Sequence, residues 1–259
     1  MKTYLFSTLL LSLTTILLAQ PAENIHDEFE FNVAVLNSLP LLIERGYLID
    51  LNKAKLSSEY SQGYSLGIRY IKKYRKNVDW IFGIEVGNYS FNINLDIQEN
   101  FRYLGWDGYF EKTTEYPIFY IAPEIGARYA ILEPTKKSQL IISASVVAAY
   151  HIRSNGEFTQ SAILDNGINK SLFYAELINN NENNVVIAPK LNLDYSYQFN
   201  DREKIFIGFT ATFSNQTPFE GMYEIYGDNE VLKGVLRKKY SLMGLNIGYR
   251  QIITKKASH

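Results

Sequence analysis

The stretch Val185–Asn200, VVIAPKLNLDYSYQFN, decides the fold of this chain. Side chains on a β-strand point alternately to its two faces. One parity of the stretch is polar or charged from Lys190 to Asn200, and the other is apolar and aromatic. The apolar parity consists of Val185, Ile187, Leu191, Leu193, Tyr195, Tyr197 and Phe199. This pattern is typical of a wall with lipid outside and polar side chains inside.

Seven further stretches repeat the alternation, which gives eight predicted strands. Their apolar parities begin at Phe29, Tyr64, Trp80, Phe119, Leu140, Ile205 and Met243. In the third strand the apolar parity changes phase, and a β-bulge near Gly87 and Asn88 is the expected cause. Pro123 and Pro189 fall inside strands and each lacks a backbone donor, so further local bulges are expected there.

The connections between these strands alternate between long and short. The long ones span 36–61, 95–116, 152–185 and 213–240, whereas those around Lys76, Lys136 and Asp201 are only a few residues long. All long connections therefore fall on one side of the sheet. The sequence predicts an all-β fold: an eight-stranded antiparallel up-and-down transmembrane β-barrel with long extracellular loops and short periplasmic turns.

The first residues predict export. Lys2 precedes an apolar run over 5–18, and Ala19 suits a cleavage site, so 1–19 is expected to be a signal peptide. The run is short beside the ~20 residues of a spanning helix, which disfavours a membrane anchor. We expect a short periplasmic segment at 20–27, the barrel at 28–253 and a tail at 254–259. A secreted, lipocalin-like soluble barrel with its apolar side chains inside is the alternative fold.

Composition narrows the possible functions. The chain has 26 basic and 27 acidic residues and a net charge of -1, so it lacks the basic character of a nucleic-acid-binding protein. It contains no cysteine, which excludes disulfides and thiolate metal sites. Its glycines do not have the spacing of a phosphate-binding loop, and we expect neither a cofactor nor a metal. The 20 tyrosines and 15 phenylalanines suit the aromatic girdles of a membrane barrel.

The last strand adds a more specific signal, because Gly244, Ile247 and Tyr249 alternate as glycine, hydrophobic and aromatic residues. In this, and in its overall pattern over 28–253, the chain resembles the small, porin-like outer-membrane β-barrel family of Gram-negative bacteria. The resemblance implies a location in the outer membrane, contact with its lipid, and assembly by the barrel assembly machinery.

The inward parity of the predicted strands carries a balanced set of charges. Its members are Glu30, Arg69, Glu85, Glu124, Arg128, Lys190, Asp194 and Arg250. Charges withdrawn from water are tolerated when they are paired, and eight strands leave a lumen that side chains can fill. The favoured interpretation is a plugged, ion-paired interior, and a narrow porin-like channel for ions or small solutes is the alternative.

A rim enzyme acting on lipid A or peptides is a further alternative, since His151 lies near the outer end of the fifth strand. Ser145 shares its parity, but six residues of strand place it about 20 Å away. A serine nucleophile needs its base within hydrogen-bond reach. We therefore expect His151 to be a polar lining residue and the protein not to be an enzyme.

The long loops are the remaining candidates for a function. The second loop is rich in aromatic residues, which serve either as a recognition surface or as a self-packed lid: Phe101, Tyr103, Trp106, Tyr109 and Phe110. The fourth loop has a hairpin turn at 226–229. The sequence favours a structural or interaction role, in which the extracellular loops bind a surface ligand or an envelope protein partner.

Overall fold

The computed structural model describes residues 26–45, 53–75, 77–106, 116–135, 137–152, 155–179 and 185–253. The expected signal peptide and C-terminal tail lie outside the described residues. No helix within these ranges is long and apolar enough to cross a membrane. The described strands, in chain order, are β1 (Asp27–Ser38), β2 (Leu42–Arg45), β3 (Ala54–Ser57), β4 (Ser61–Lys73), β5 (Val78–Phe91), β6 (Asn94–Ile97), β7 (Tyr116–Thr135), β8 (Ser138–His151), β9 (Gly156–Ile163), β10 (Asn169–Asn179), β11 (Val185–Asn200), β12 (Glu203–Thr212), β13 (Phe219–Tyr226), β14 (Val231–Lys238) and β15 (Leu242–Ile253).

Eight of these strands close into an antiparallel barrel. They pair in the order β1, β15, β12, β11, β8, β7, β5, β4 and back to β1. These are the eight strands that alternation predicts, so the predicted fold class is confirmed. The seam between the first and last strands is paired along its whole length, from Asp27 opposite Ile253 to Ser38 opposite Leu242. The three short connections lie together at the periplasmic end, and the long ones lie at the extracellular end.

The outer surface of the barrel is apolar and its interior carries the charges. Along β11, exposed and buried positions alternate from Val185 onward. Ile187 is 63% exposed, whereas its polar neighbours in the strand, Lys190 and Asp194, are buried. A soluble barrel would show the reverse arrangement, because burial of apolar surface drives its folding. The lipocalin-like alternative is therefore wrong, and the exposed apolar band is the surface that faces lipid.

The bulge predicted near Gly87 and Asn88 is wrong. β5 pairs with β4 in unbroken register from Gly63 opposite Tyr89 onward, and with β7 in unbroken register as far as Phe91. Tyr89 and Phe91 therefore keep the inward parity of Glu85, and both are buried. The apolar parity changes phase because the extracellular half of the lumen is itself apolar, so the inward residues change from polar to aromatic.

The two prolines within strands also leave the register intact. Pro123 lies opposite Ile84, and Pro189 lies opposite Val146, each inside a continuous ladder. A missing N–H removes a single bond from strands that share many others. The register shifts of the barrel occur elsewhere, beyond Ala130 in β7 and between Gln198 and Asn200 in β11, close to the short turns.

The long loops form sheets of their own. β2, β14, β13, β10 and β9 pair in that order as a five-stranded sheet, here called the extracellular sheet, and β3 pairs with β6. The hairpin predicted at 226–229 is confirmed, since it joins β13 to β14 and the N–H of Gly227 donates to the carbonyl of Glu230 over 2.9 Å. The sheet unites three loops, because β10 from the third pairs with β13 from the fourth, and β14 pairs with β2 from the first.

A single apolar core joins the extracellular sheet to the upper lumen. It combines inward residues of the barrel strands, such as Leu36 and Tyr89, with one face of the sheet, including Phe173, Leu177 and Leu236. Since each of these groups is buried, the sheet covers the extracellular mouth. Burial of apolar surface between the sheet and the barrel stabilises the folded protein by roughly 25 cal/mol per Å² removed from water.

Glycine creates room for the charged groups of the lower lumen. A Cβ on Gly208 would lie 2.2 Å from the Asp194 Oδ1 and 2.6 Å from the Leu193 carbonyl oxygen. The bare backbone at this position lets the Asp194 carboxylate sit against the wall.

Candidate functional site

The periplasmic end of the lumen is crossed by a chain of ion pairs. Arg128 of β7 binds Glu28 of β1 through Nη2 at 2.5 Å and Asp79 of β5 through Nε at 2.7 Å. Lys204 of β12 reaches the other oxygen of Glu28 at 2.7 Å, and Lys73 lies 3.1 Å from Asp79. Because β1 and β7 are not neighbours in the barrel, the bond between Glu28 and Arg128 spans the interior.

A second network lies above the first, and its centre is the seam. The Nε of Arg250 is 2.6 Å from Glu30, which faces it on the adjacent strand, and its Nη2 is 2.7 Å from Asp194 of β11. Glu30 also accepts from the Nη1 of Arg69 at 2.7 Å. Each of these four side chains is almost completely buried, and Arg250 is only 1% exposed.

The same network continues around the lumen to its far wall. The Nε of Arg69 is 3.0 Å from Glu124, whose other oxygen accepts from the hydroxyl of Ser145 at 2.7 Å. Lys190 of β11 lies 3.5 Å from Glu124 and donates to Glu85 of β5, across the interior. These contacts connect inward positions on opposite walls of the barrel, so the middle of the lumen is filled by paired side chains.

The structure places all eight predicted interior charges in these two networks. Sequence reasoning missed Glu28, Asp79, Lys73 and Lys204, although each has the inward parity of its strand. With them, the networks hold six carboxylates and six cations among the described residues: Glu28, Glu30, Asp79, Glu85, Glu124 and Asp194 with Arg69, Lys73, Arg128, Lys190, Lys204 and Arg250. The paired interior is therefore electrically balanced, as burial of charge requires.

The extracellular half of the lumen holds an aromatic cluster. Tyr240 is at its centre, with its ring 5.9 Å from that of Tyr89, 5.5 Å from Tyr120 and 5.2 Å from His151. Phe219 of the extracellular sheet closes the cluster from above, 5.6 Å from the imidazole of His151. All five side chains are buried. The hydroxyl of Tyr120 donates to Glu85 at 2.7 Å and so links the cluster to the ion-pair network below.

His151 therefore lies in a packed interior, not at an open rim. Ser145 donates to Glu124, and Ser143 accepts from Asn192 at 2.9 Å. The two serines of the same parity thus bond to groups of the polar lumen, below the aromatic cluster that contains His151. The described hydrogen bonds of Ser143 and Ser145 are therefore made to Asn192 and Glu124, whereas a serine nucleophile bonds to its base.

A buried lysine anchors the extracellular sheet at the mouth. Lys238, the last residue of β14, donates from Nζ to the hydroxyl of Ser38 and to the carbonyl of Leu39. Its ammonium also lies 5.7 Å from the centre of the Tyr89 ring. Lys238 is outside the membrane-spanning strands, and burial lowers its pKa to about 7. In the sequence, this residue looks like any solvated loop lysine, so no local pattern distinguishes it.

The predicted loop aromatics are largely covered. Phe101 and Trp106 are buried within the extracellular part of the core. Tyr103 is partly buried, donates to the Ser171 carbonyl at 3.0 Å, and has the Lys170 ammonium 5.5 Å from its ring centre. Tyr109 and Phe110 lie outside the described residues. Tyr103 thus packs the second loop against β10, and the Phe101 ring lies beside Gly227 in the turn between β13 and β14, an arrangement like that of the self-packing alternative.

The outward face of the extracellular sheet carries cross-strand ion pairs among exposed apolar side chains. Arg237 of β14 binds Glu44 of β2 and, at 3.0 Å, Glu220 of β13. Lys233 binds Glu224 at 2.5 Å, and the hydrogen bond from Tyr226 to Glu224 raises the pKa of that tyrosine to about 12. This cross-strand pairing orders a surface that sequence alternation alone could not locate, because its strands come from separate loops.

Between these ion pairs lie uncovered side chains. Met222 of β13 is 66% exposed, opposite Glu176 on one side and Val235 on the other. Glu176 in turn faces Glu157 of β9. Like charges directly opposite each other on antiparallel strands repel.

Within the described ranges, no group of three metal-ligating side chains is assembled.

Comparisons with known proteins return structures of related shape. No protein-family model and no curated protein sequence matches the chain. The chain is similar to the outer membrane protein OprG from Pseudomonas aeruginosa, with 9% identity, a TM-score of 0.47, and coverage of 90% of this chain and 98% of that one. The chain is also similar to Neisserial surface protein A, with 12% identity, a TM-score of 0.37, and coverage of 86% of this chain and 96% of that one. With the outer membrane protease OmpT from Escherichia coli the identity is 7% and the TM-score 0.37, and the coverage is 90% of this chain and 99% of that one. At these identities the likeness gives no information on activity.

The location follows from the geometry of the barrel itself. Eight strands present a continuous exposed apolar band, and closure of the barrel satisfies the backbone of every strand without a free edge. Aromatic side chains such as Trp80 and Tyr195 lie within that band toward the periplasmic end, and Tyr64 and Phe119 lie toward the extracellular end. These are the two girdles of a bilayer-spanning barrel. The chain is an eight-stranded transmembrane β-barrel of the outer membrane.

Proposed function

We propose that the protein is a non-conducting outer-membrane barrel whose extracellular sheet is a recognition surface for an envelope protein partner or a surface ligand. The observation that carries the proposal is the division of the molecule. Ion pairs cross the periplasmic and middle parts of its lumen and an apolar core occupies the extracellular part, whereas the ion-paired face of the extracellular sheet lies outside the membrane. The paired and packed side chains in the lumen stabilise the barrel. The extracellular sheet is therefore the part of the molecule that can bind a partner or ligand.

Two successive barriers support a closed lumen. The first is the pair of ion-pair networks, in which Glu28 to Arg128 and Glu85 to Lys190 bridge non-adjacent strands. The second is the aromatic cluster around Tyr240, covered by Phe219. An ion entering the barrel would have to displace paired charges and then cross an apolar layer, and both steps are costly in a medium of low dielectric.

The outward face of the extracellular sheet supports the recognition role. The cross-strand ion pairs of Arg237 and Lys233 join β2, β14 and β13, which are three of the five strands of this surface. An ordered surface loses less conformational entropy on binding than flexible loops do. Met222 supplies an exposed, adaptable apolar side chain among the charges, a combination found at protein interaction surfaces.

Conductance tests the first half of the proposal. Purified protein in a planar bilayer is expected to give no discrete conductance steps. The sensitised control is the double variant Tyr240→Ala, Phe219→Ala, which removes rings from the upper barrier while the ion pairs remain, and it is also expected to be silent. Regular steps from the wild-type protein would instead favour the narrow channel.

Site-specific crosslinking tests the second half. A photo-reactive amino acid at Met222 or Val231, both exposed on the extracellular sheet, is expected to form a defined adduct in intact cells. The matched control is the same group at Leu245, a position on the lipid-facing wall that is about as exposed as Met222, and it is expected to give lipid adducts only. Failure of both sheet positions to give a protein or ligand adduct would refute the recognition role.

A further inference from the structure

Lys238 occupies an unusual position for a lysine. It ends β14 of the extracellular sheet and is fully buried. Its Nζ donates to Ser38 and Leu39, which lie at the extracellular end of β1. One side chain therefore ties the sheet that covers the mouth to the wall of the barrel.

The surroundings of this ammonium are uncharged. Both acceptors are neutral oxygens, and the third described contact is the face of the Tyr89 ring, 5.7 Å away. The titratable groups packed behind that ring are Tyr120, Tyr240 and His151. The phenols are uncharged at neutral pH, and the imidazole belongs to the same packed cluster.

Glu85, the carboxylate that Tyr120 of the aromatic cluster binds, is not among the described contacts of Lys238. Glu85 accepts a hydrogen bond from Tyr120 and an ion pair from Lys190. Among the described residues, no carboxylate contacts the Lys238 ammonium. A buried ammonium without an opposite charge is unfavourable, and it regains water only when the sheet leaves the mouth.

We propose that Lys238 makes the docking of the extracellular sheet on the barrel mouth sensitive to pH, and that acid loosens this contact. In the docked state the side chain is accommodated as the neutral amine, whose two N–H groups can donate to the Ser38 hydroxyl oxygen and the Leu39 carbonyl oxygen. Protonation places a full charge there, and the charged form favours the undocked sheet. The inference concerns the mobility of the sheet and does not depend on the identity of any partner.

The direction follows from linkage. Burial lowers the pKa of Lys238 from the ordinary value of 10.5 to about 7, so the undocked state binds the proton more tightly. Between about pH 10.5 and pH 7, docking is coupled to proton release and weakens as the pH falls. Below about pH 7 both states are protonated, and the effect levels off.

Hydrogen–deuterium exchange of the intact barrel in nanodiscs tests the proposal. The readout is the protection factor of β14 amides, from Leu232 to Leu236, corrected for intrinsic exchange. From the two pKa values, protection is expected to fall about 30-fold between pH 8.5 and pH 6. In Lys238→Met, and in Lys238→Gln as a second variant, protection is expected to be high at both pH values.

Two control variants separate this effect from general acid sensitivity. Lys239→Met removes the neighbouring, half-buried lysine and is expected to keep the wild-type pH dependence. His151→Asn removes the imidazole of the same cluster and is expected to keep it too. A flat profile in the wild-type protein overturns the proposal. So does a pH dependence that survives in both Lys238 variants or disappears in His151→Asn.

Discussion

Glu30 and Arg250 face each other across the seam where the first and last strands meet, with the Glu30 Oε2 2.6 Å from the Arg250 Nε. Both are about 1% exposed, and each has one further ion-pair partner, Arg69 for Glu30 and Asp194 for Arg250. Removal of one partner of a buried ion pair leaves the other uncompensated. The seam is thus closed by a buried ion pair as well as by backbone hydrogen bonds.

Arg250→Met is expected to destabilise the barrel by about 3–5 kcal/mol, because Glu30 and Asp194 both lose a cation. Urea unfolding in detergent micelles, followed by heat-modifiable gel migration, measures the change. Lys53→Met provides the control, since its ion pair with Glu230 is partly exposed and contributes about 0–1 kcal/mol. Equal losses in the two variants would contradict the role of the seam.

Gly208→Ala is expected to cost about 1–3 kcal/mol, since the new Cβ would overlap the Asp194 carboxylate and the Leu193 carbonyl. The same unfolding assay applies. Asp194→Ala removes the nearest of three obstacles, the others being the Leu193 carbonyl and the Asn246 side chain at 2.7 Å, so the double variant is expected to lose less stability than the sum of the single variants. Strict additivity would show that the two positions do not share space.

His151→Ala is expected to lower stability by about 2–4 kcal/mol, because it leaves a cavity among the rings of Tyr89, Tyr240 and Phe219. His151→Phe, which keeps a ring in that space, is expected to retain most of the stability. Assays with lipid A and peptide substrates are expected to show no hydrolysis in either variant or in the wild type. Turnover by the wild type that disappears in His151→Phe would instead favour the rim enzyme.

Arg237→Ala is expected to leave barrel stability nearly unchanged, since its ion pairs with Glu44 and Glu220 are partly exposed at the surface. Its local effect is expected at the edge of the sheet, where β2 pairs only with β14 over four residues. Hydrogen exchange of the amides of β2 measures this effect. Unchanged protection in β2 would mean that packing of the first loop, not the ion pairs, holds this strand.

The sequence predicts the barrel well because alternation is a local property. In β11, the polarity of each residue indicates whether its side chain faces lipid or the lumen. Lys190 and Asp194 are found inside, as their parity indicates. The same rule leads to an error in β5, where Tyr89 and Phe91 are apolar and yet inward. Polarity indicates a face only while the interior stays polar, and here the interior changes character halfway along the strand.

The extracellular sheet could not be predicted in the same way. Its pairings join β10 to β13 and β14 to β2, across more than forty residues of chain in the first case and nearly two hundred in the second. Strand alternation carries no information on such partners. Lys238 shows the same limit for a single residue, because its burial results from loops that meet only in the folded protein.

The ion pairs that cross the lumen also bear on how the barrel is assembled. Glu28 and Glu30 enter with the first strand, but Lys204 and Arg250 belong to β12 and β15, near the end of the chain. On the described strands between them, Glu28 has only Arg128 and Glu30 only Arg69 as an ion-pair partner. The second cation of each carboxylate is supplied by one of the last two barrel strands, so closure of the wall and completion of its charge pairing are the same event.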